Sequence, residues 1–259
     1  MNLCIIIPAY NEEKRIGQTL LEYSAFFEEK RKKIKGFGYE ILVVINNTKD
    51  RTKEVVIQNK KNNNNIRYIN LEKGGKGYAV TEGFRDAIKG KNDFIGFADA
   101  DNATNAGSFW KLVDNIGING CALASRYLKE SAVNPKQSIN RVIASRIYNM
   151  LIRAIFLFPY KDTQCGAKLF SHNALKEIIP SLTMSQWAFD LEILYLLRKK
   201  GFKIIEVPIE WSNKGDSKID LARSGTFMVL GVIRLRLIHS PFRKITKIYD
   251  RFFGGLIKF

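Results

Sequence analysis

Two aspartates one residue apart, Asp99 and Asp101, follow a stretch of apolar residues, and their spacing could do chemistry. The run before them, Phe94-Ile95-Gly96-Phe97-Ala98, reads as a buried strand. Positions i and i+2 of a strand face one side, so the pattern predicts two carboxylates meeting at the strand's end. Side by side they repel, and each raises the other's pKa unless a cation lies between them. Hard oxygen ligands suit Mg2+ or Mn2+, and such an ion in turn favours a diphosphate. Two solvated loop aspartates would look the same in isolation, so the elements around them decide.

Those elements alternate. Residues 3–7, 40–45, 66–71 and 93–98 read as strands, and residues 12–32, 50–59 and 78–89 as helices. Near-continuous apolar strands separated by helices predict an α/β fold, with a mostly parallel sheet covered on both faces. Ligands of such sheets gather beyond the carboxyl ends of the strands. Pro8-Ala9-Tyr10-Asn11-Glu12, Asn46-Asn47-Thr48-Lys49-Asp50, Gly74-Gly75-Lys76-Gly77 and the aspartate pair all fall there. Four such segments at four strand ends carry more weight than any one. Gly74 to Gly77 leads into a helix whose first amides can face a phosphate. It lacks P-loop spacing, and the chain has no GxGxxG fingerprint, which argues against a nicotinamide or flavin enzyme.

The chain has 259 residues, 46% hydrophobic and 12% aromatic, enough for a sizeable core. Its 42 Lys and Arg against 25 Asp and Glu give a net charge of +17. That excess suits a phosphate-rich partner: a phosphorylated substrate, an anionic membrane surface or nucleic acid. Nucleic acid is disfavoured, because no zinc-finger or aromatic RNA-binding pattern occurs and the acidic pair would repel a backbone. Cys4, Cys121 and Cys165 form no CxxC pair and are expected to be reduced thiols. The opening Met1-Asn2-Leu3-Cys4 reads as the approach to a strand rather than a leader. No apolar run is long enough to span a membrane, since the candidate near Met228 is broken by Arg234 and Arg236.

Together these segments resemble the family 2 glycosyltransferases, whose GT-A fold is a Rossmann-like nucleotide-sugar-binding fold. Ile5-Ile6-Ile7-Pro8-Ala9-Tyr10-Asn11-Glu12-Glu13 is similar to the family's first motif. Gly74 to Gly77, Asp99 to Thr104, Ser125-Arg126-Tyr127 and Asp162-Thr163-Gln164-Cys165-Gly166-Ala167-Lys168-Leu169-Phe170 look like its dolichyl-phosphate glucosyltransferase branch. So do Phe189-Asp190-Leu191-Glu192-Ile193-Leu194 and Glu206-Val207-Pro208-Ile209-Glu210-Trp211.

The resemblance implies inverting transfer of a sugar, glucose from UDP-glucose first, to a dolichyl or other polyprenyl phosphate at the cytosolic membrane face. It implies Mg2+ or Mn2+ on Asp99 and Asp101, and donor contacts from Pro8, Ala9, Tyr10, Glu12, Asn46, Lys76, Asp99 and Ala100. Asp101, Asp162, Gln164 and Asp190 are implied nearest the reaction. Ser125, Arg126, Arg141, Ser217 and Lys218 are implied on the acceptor phosphate. An arginine fork suits that phosphate through bidentate charge-assisted bonds. Where the family carries Asp-Asp-Gly-Ser after its second strand, this chain has Ile45-Asn46-Asn47-Thr48, which loosens the choice of base. A mannosyl or N-acetylglucosaminyl transferase, acting on the same lipid or on a saccharide, is the alternative within the class. A sugar-phosphate nucleotidyltransferase is the alternative outside it.

Residues 1–222 are expected to form the GT-A domain, and residues 223–259 a basic amphipathic helical segment. Ser240-Pro241 reads as a helix start, after which Phe242, Ile245, Tyr249, Phe252, Phe253 and Leu256 recur at helical spacing. Arg243, Lys244, Lys247 and Arg251 fall largely off that stripe. Such a helix either lies on an anionic membrane or docks on protein. Residues 142–158, apolar with Arg146 and Arg153 interspersed, offer a second surface for lipid.

Overall fold

The computed structural model describes residues 1–135, 139–183, 188–212 and 221–254. In chain order the first half runs β1 (Asn2–Ala9), α1 (Ile16–Lys33), β2 (Gly38–Asn46), α2 (Thr52–Asn62), β3 (Ile66–Leu71), α3 (Lys76–Ala87), β4 (Phe94–Ala98) and α4 (Ala106–Ile116). It continues with β5 (Cys121–Ser125), β6 (Ala132–Asn134), α5 (Ile139–Phe156), β7 (Ala167–Ser171), α6 (His172–Ile178) and α7 (Phe189–Lys199). Then come β8 (Ile204–Pro208), β9 (Glu210–Ser212), α8 (Leu221–Ile238) and α9 (Thr246–Phe253).

Successive residues of β1 enter opposite cores, which is why the strand is apolar without alternation. Cys4 and Ile6 pack with Leu42 and Val44 of β2 and with Val80 and Phe84 of α3. Leu3, Ile5 and Ile7 pack on the other face with Leu20, Tyr23 and Phe27 of α1 and Phe109 of α4. Seven strands lie in the order β3-β2-β1-β4-β7-β5-β8, and β6 pairs with β9 in a small second sheet. All neighbours in the large sheet are parallel except β7, which runs antiparallel to both β4 and β5. The expected α/β architecture with a mostly parallel central sheet is therefore present.

The antiparallel β7 has a direct consequence for the site. Its first residue, Ala167, sits opposite Ala98, the last residue of β4. The loop entering β7 thus meets the turn leaving β4 at the carboxyl end of that strand, and the Asp99 N–H donates to the Gly166 carbonyl at 3.1 Å.

Several boundaries differ from the sequence expectation, each for a local reason. α1 begins at Ile16 and not at residue 12, because Asn11 has a positive φ of 54° and the next residues lace to the second strand's loop. The Asn11, Glu12 and Glu13 amides donate to Thr48 Oγ1, Thr52 Oγ1 and Asp50 Oδ2, at 2.9, 2.8 and 3.1 Å. α2 runs on to Asn62 with Lys60 and Lys61 in its last turn, where cations complement the helix dipole. α9 starts at Thr246 rather than at Pro241, since a short 3-10 turn over Arg243–Ile245 intervenes.

Candidate active site

The aspartate pair does not continue the strand. β4 ends at Ala98, and residues 99–103 form a turn with Asn102 at φ 55°. The pleat therefore does not align Asp99 with Asp101; helix α1 shapes the turn instead. Thr19 donates to the Ala100 carbonyl at 2.7 Å, Tyr23 donates to the Thr104 carbonyl at 2.6 Å, and Asn102 bonds Glu22. Asp101 Oδ1 accepts the Ala103 N–H at 2.9 Å. Burial, and then the adjacent charge of Asp99, push the Asp101 carboxyl above its ordinary value. Negative charge is thus in excess here, and Lys76, the first residue of α3, answers part of it by pairing with Asp99. Gly75 permits that approach with a φ of 130°, a conformation that L side chains rarely adopt. Gly166 is required by proximity, because a Cβ there would collide with the Asp99 carboxylate.

Around this turn the other expected donor residues take distinct places. Tyr10 is exposed, whereas Ala9 and Ala100 are buried in the framework, as is Pro8. Glu12 holds Arg15 in a two-point ion pair at 2.7 and 2.6 Å. Asn46 is 3% exposed; with its amide oriented to satisfy both ends, it donates to the Ala9 carbonyl at 2.8 Å and accepts from the Gly75 N–H at 3.2 Å. The neutral residue in place of the family's acid is therefore a strut between two loops of the expected donor side.

On the far side of β4 two buried carboxylates are each matched by a cation, one partly buried and one fully buried. Asp162, fully buried, takes the Arg126 guanidinium on both oxygens at 2.7 and 2.9 Å and accepts the Arg126 N–H at 3.0 Å. Burial raises the Asp162 carboxyl, but the Arg126 charge and hydrogen bonds outweigh it and hold the group below its ordinary value. Two of the five guanidinium donors are committed to Asp162, so Arg126 meets any phosphate with the remainder of its fork. Glu206 of β8 fixes the same loop by accepting the Lys161 and Asp162 amides at 2.9 and 3.0 Å. Asp190, in the first turn of α7, pairs with Lys168 at 2.5 Å, and Lys168 also donates to the Cys165 carbonyl at 2.8 Å. The three cysteines are buried and free.

Ser125 is buried at the end of β5, and the Gln164 Nε2 has no partner among the described residues. Arg141 lies in the first turn of α5, with its side chain outside what is described, and Ser217 and Lys218 lie outside the described residues. The structure thus brings Asp99, Asp101, Lys76, Asp162, Gln164, Asp190 and Arg126 to one edge of the sheet. Sequence reasoning missed Lys168, although a lysine inside the apolar strand Ala167-Lys168-Leu169-Phe170 is a signal in itself.

Comparison with known proteins decides the family. The family model for glycosyl transferase family 2 matches residues 4–179. The chain belongs to this family.

This family 2 glycosyltransferase is 35% identical over 243 residues to a dolichyl-phosphate beta-glucosyltransferase of Dictyostelium discoideum, covering 90% of this chain and 73% of that one. It is 31% identical to the Homo sapiens protein of the same name, over 84% of this chain and 69% of that one. Its fold is similar to that of glucosyl-3-phosphoglycerate synthase from Mycobacterium tuberculosis, solved with Mn2+, UDP and glucosyl-3-phosphoglycerate. The TM-score is 0.68 at 15% identity, covering 93% of this chain and 81% of that one. Within the GT-A fold so defined, the turn after β4 and the loop into β7 lie together at one edge of the sheet.

Proposed function

We propose that this glycosyltransferase moves glucose from UDP-glucose to a dolichyl or other polyprenyl phosphate with inversion, at the cytosolic face of a membrane. The names of its relatives support the substrates. The observation that carries the chemistry is the pairing of the two buried aspartates beside the site, Asp162 with Arg126 and Asp190 with Lys168. A carboxylate already neutralised by a cation held against it makes a poor general base. An alcohol acceptor would need such a base, whereas a phosphate monoester does not, its second ionisation lying at about 6. The anionic acceptor oxygen attacks the sugar's anomeric carbon as the bond to the UDP oxygen breaks. UDP departs with the electron pair, and no proton has to be removed.

The residues at the turn fit Mg2+ or Mn2+. Asp99 and Asp101 are hard oxygen donors crowded enough to raise one pKa and to draw in Lys76. Among the described residues no cluster of three His, Cys, Asp or Glu occurs, which suits an ion that completes its shell with diphosphate and water. Such an ion, when bound, stabilises the charge that develops on the leaving diphosphate. Lys76 supplies a second positive charge beside it, and Tyr10 offers an exposed ring near the nucleotide side. Arg126, Arg141 and Lys218 complete the reading on the acceptor side.

Among the described residues, no helix is long and apolar enough to cross a membrane. α9 docks and exposes apolar surface at once. Tyr249 donates to the Leu230 carbonyl at 2.9 Å and Asp250 pairs with Arg234 of α8, while Ile245, Ile248 and Phe252 point away and are exposed. Ile139, Ile143, Ile147 and Met150 form a second exposed apolar stripe, along α5. With Arg243, Lys244, Lys247 and Arg251 exposed beside α9, these surfaces support peripheral attachment to anionic lipid. The function is tested by presenting polyprenyl phosphate with UDP-glucose, GDP-mannose and UDP-N-acetylglucosamine in turn and measuring nucleotide release. Release from UDP-glucose alone supports the reading, and release from another donor alone overturns the choice of sugar.

A further inference from the structure

Four buried polar atoms near the two carboxylate pairs have no hydrogen-bond partner among the described residues: Ser125 Oγ, Tyr148 Oη, Asn149 Nδ2 and Gln164 Nε2. An orphaned buried donor costs about 1–3 kcal/mol, so several in one neighbourhood need a reason. The elements that carry them are tied to one another. Thr163, next to Gln164, donates to Asn149 Oδ1 at 3.4 Å, which leaves Nδ2 as the unpartnered end of an amide only 4% exposed. Ser145 of α5 bonds the Tyr127 hydroxyl at 2.6 Å, tying the helix to the segment that carries Ser125 and Arg126. Burial first, and then the charge of Asp190, push the Tyr148 phenol up, so its hydroxyl stays a donor at any physiological pH.

All four groups can donate, and the charges beside them cancel in pairs. A donor-rich site with its own charges balanced suits the oxygens of an incoming anion. Its position says which one. In the sheet order β3-β2-β1-β4-β7-β5, the aspartate pair leaves β4. The loops of β1 and β2 and the start of α3 lie to one side of it, and Ser125 of β5 and Gln164 before β7 lie to the other. On the function proposed above the first side serves the nucleotide, which leaves the second for the acceptor.

We propose that Tyr148 and Asn149 of α5, together with Gln164, bind the phosphoryl oxygens of a phosphate-monoester acceptor. This rests on the reading that the acceptor is a lipid phosphate. The two α5 residues are then substrate-binding residues that the sequence motifs do not contain. α5, which carries the exposed apolar stripe on its outer side, carries the acceptor's phosphate site on its inner side.

Calorimetric titration of wild type, Tyr148→Phe and Asn149→Leu with inorganic phosphate, farnesyl phosphate and UDP tests this. Tyr148→Phe, which removes one oxygen, is expected to bind both phosphate probes about ten-fold more weakly, the worth of one bond to a charged oxygen. Its UDP affinity should stay within about two-fold, and its unliganded thermal midpoint should hold or rise as an orphan hydroxyl is removed. Asn149→Leu should behave alike where it folds. Unchanged phosphate affinities in Tyr148→Phe would show that the hydroxyl serves only an internal water and would overturn the proposal. A loss confined to UDP would overturn it too, by placing these donors on the nucleotide. Wild-type binding of inorganic phosphate but not of farnesyl phosphate, with the former weakened in Tyr148→Phe, would sustain the site and overturn the lipid reading instead.

Discussion

Lys168 and Asp190 form an ion pair with both side chains removed from water, the lysine fully and the aspartate to 8% exposure, at 2.5 Å. The lysine projects from β7 and the aspartate from the first turn of α7, so the pair fastens a helix to the sheet beside the candidate site. Removing one partner strands the other charge. Lys168→Met is therefore expected to cost about 3–5 kcal/mol, and adding Asp190→Leu should recover most of it. Urea denaturation of the two single variants and the double variant measures this. Equal losses that simply add would show that the two side chains do not depend on each other.

The Asp162–Arg126 pair makes a pH-dependent prediction. Arg126 holds the Asp162 carboxyl below its ordinary value in the folded protein, in spite of complete burial. A group depressed on folding stabilises fully above its unfolded pKa, about 4, and that contribution is lost as pH falls through the folded value. Wild type should thus exceed Asp162→Asn in thermal midpoint at pH 7, and the gap should close as the pH is lowered below 4. A gap that stays constant down to pH 2 would show that the charge of Asp162 is not what stabilises.

The outer edge of α9 makes the third prediction. Ile248 and Phe252 are exposed, whereas Tyr249 and Asp250 hold the helix to α8. Ile248→Asp with Phe252→Asp should leave the thermal midpoint within about a degree or two, because both side chains are largely exposed. The same variant should float far less with anionic vesicles. Undiminished flotation would assign the membrane contact to α5 or another surface.

The sheet and the placing of the site at its edge were legible in the sequence because buried parallel strands are apolar without interruption, as in Leu3 to Ile7 and Phe94 to Ala98. The strand ends were legible because Asn11, Gly75 and Asn102 stand where the backbone turns to positive φ. What was not legible depended on distance along the chain. Nothing local shows that Thr19 and Tyr23 hold the Asp99–Asp101 turn from 81 residues away. Nor does a motif show that Arg126 is half spent on Asp162, or that Asn46 is a strut, since both depend on strand order. β7 entering antiparallel between β4 and β5 creates the Arg126–Asp162 contact, and a five-residue strand carries no mark of its direction; the Asn46 strut instead needs β1, β2 and β3 side by side.

Sugar transfer to a lipid phosphate at a metal-dependent carboxylate pair is tested most directly by product formation. UDP-glucose, a short polyprenyl phosphate and the purified protein are combined with Mn2+, with excess EDTA, and with Asp101→Asn in place of wild type. Glucosyl polyprenyl phosphate should form with wild type and Mn2+ and fall at least about a hundred-fold in the other two reactions, matching the several kcal/mol that a metal on the leaving diphosphate contributes. Equal product in EDTA, or transfer to the neutral polyprenol as readily as to its phosphate, would contradict the account.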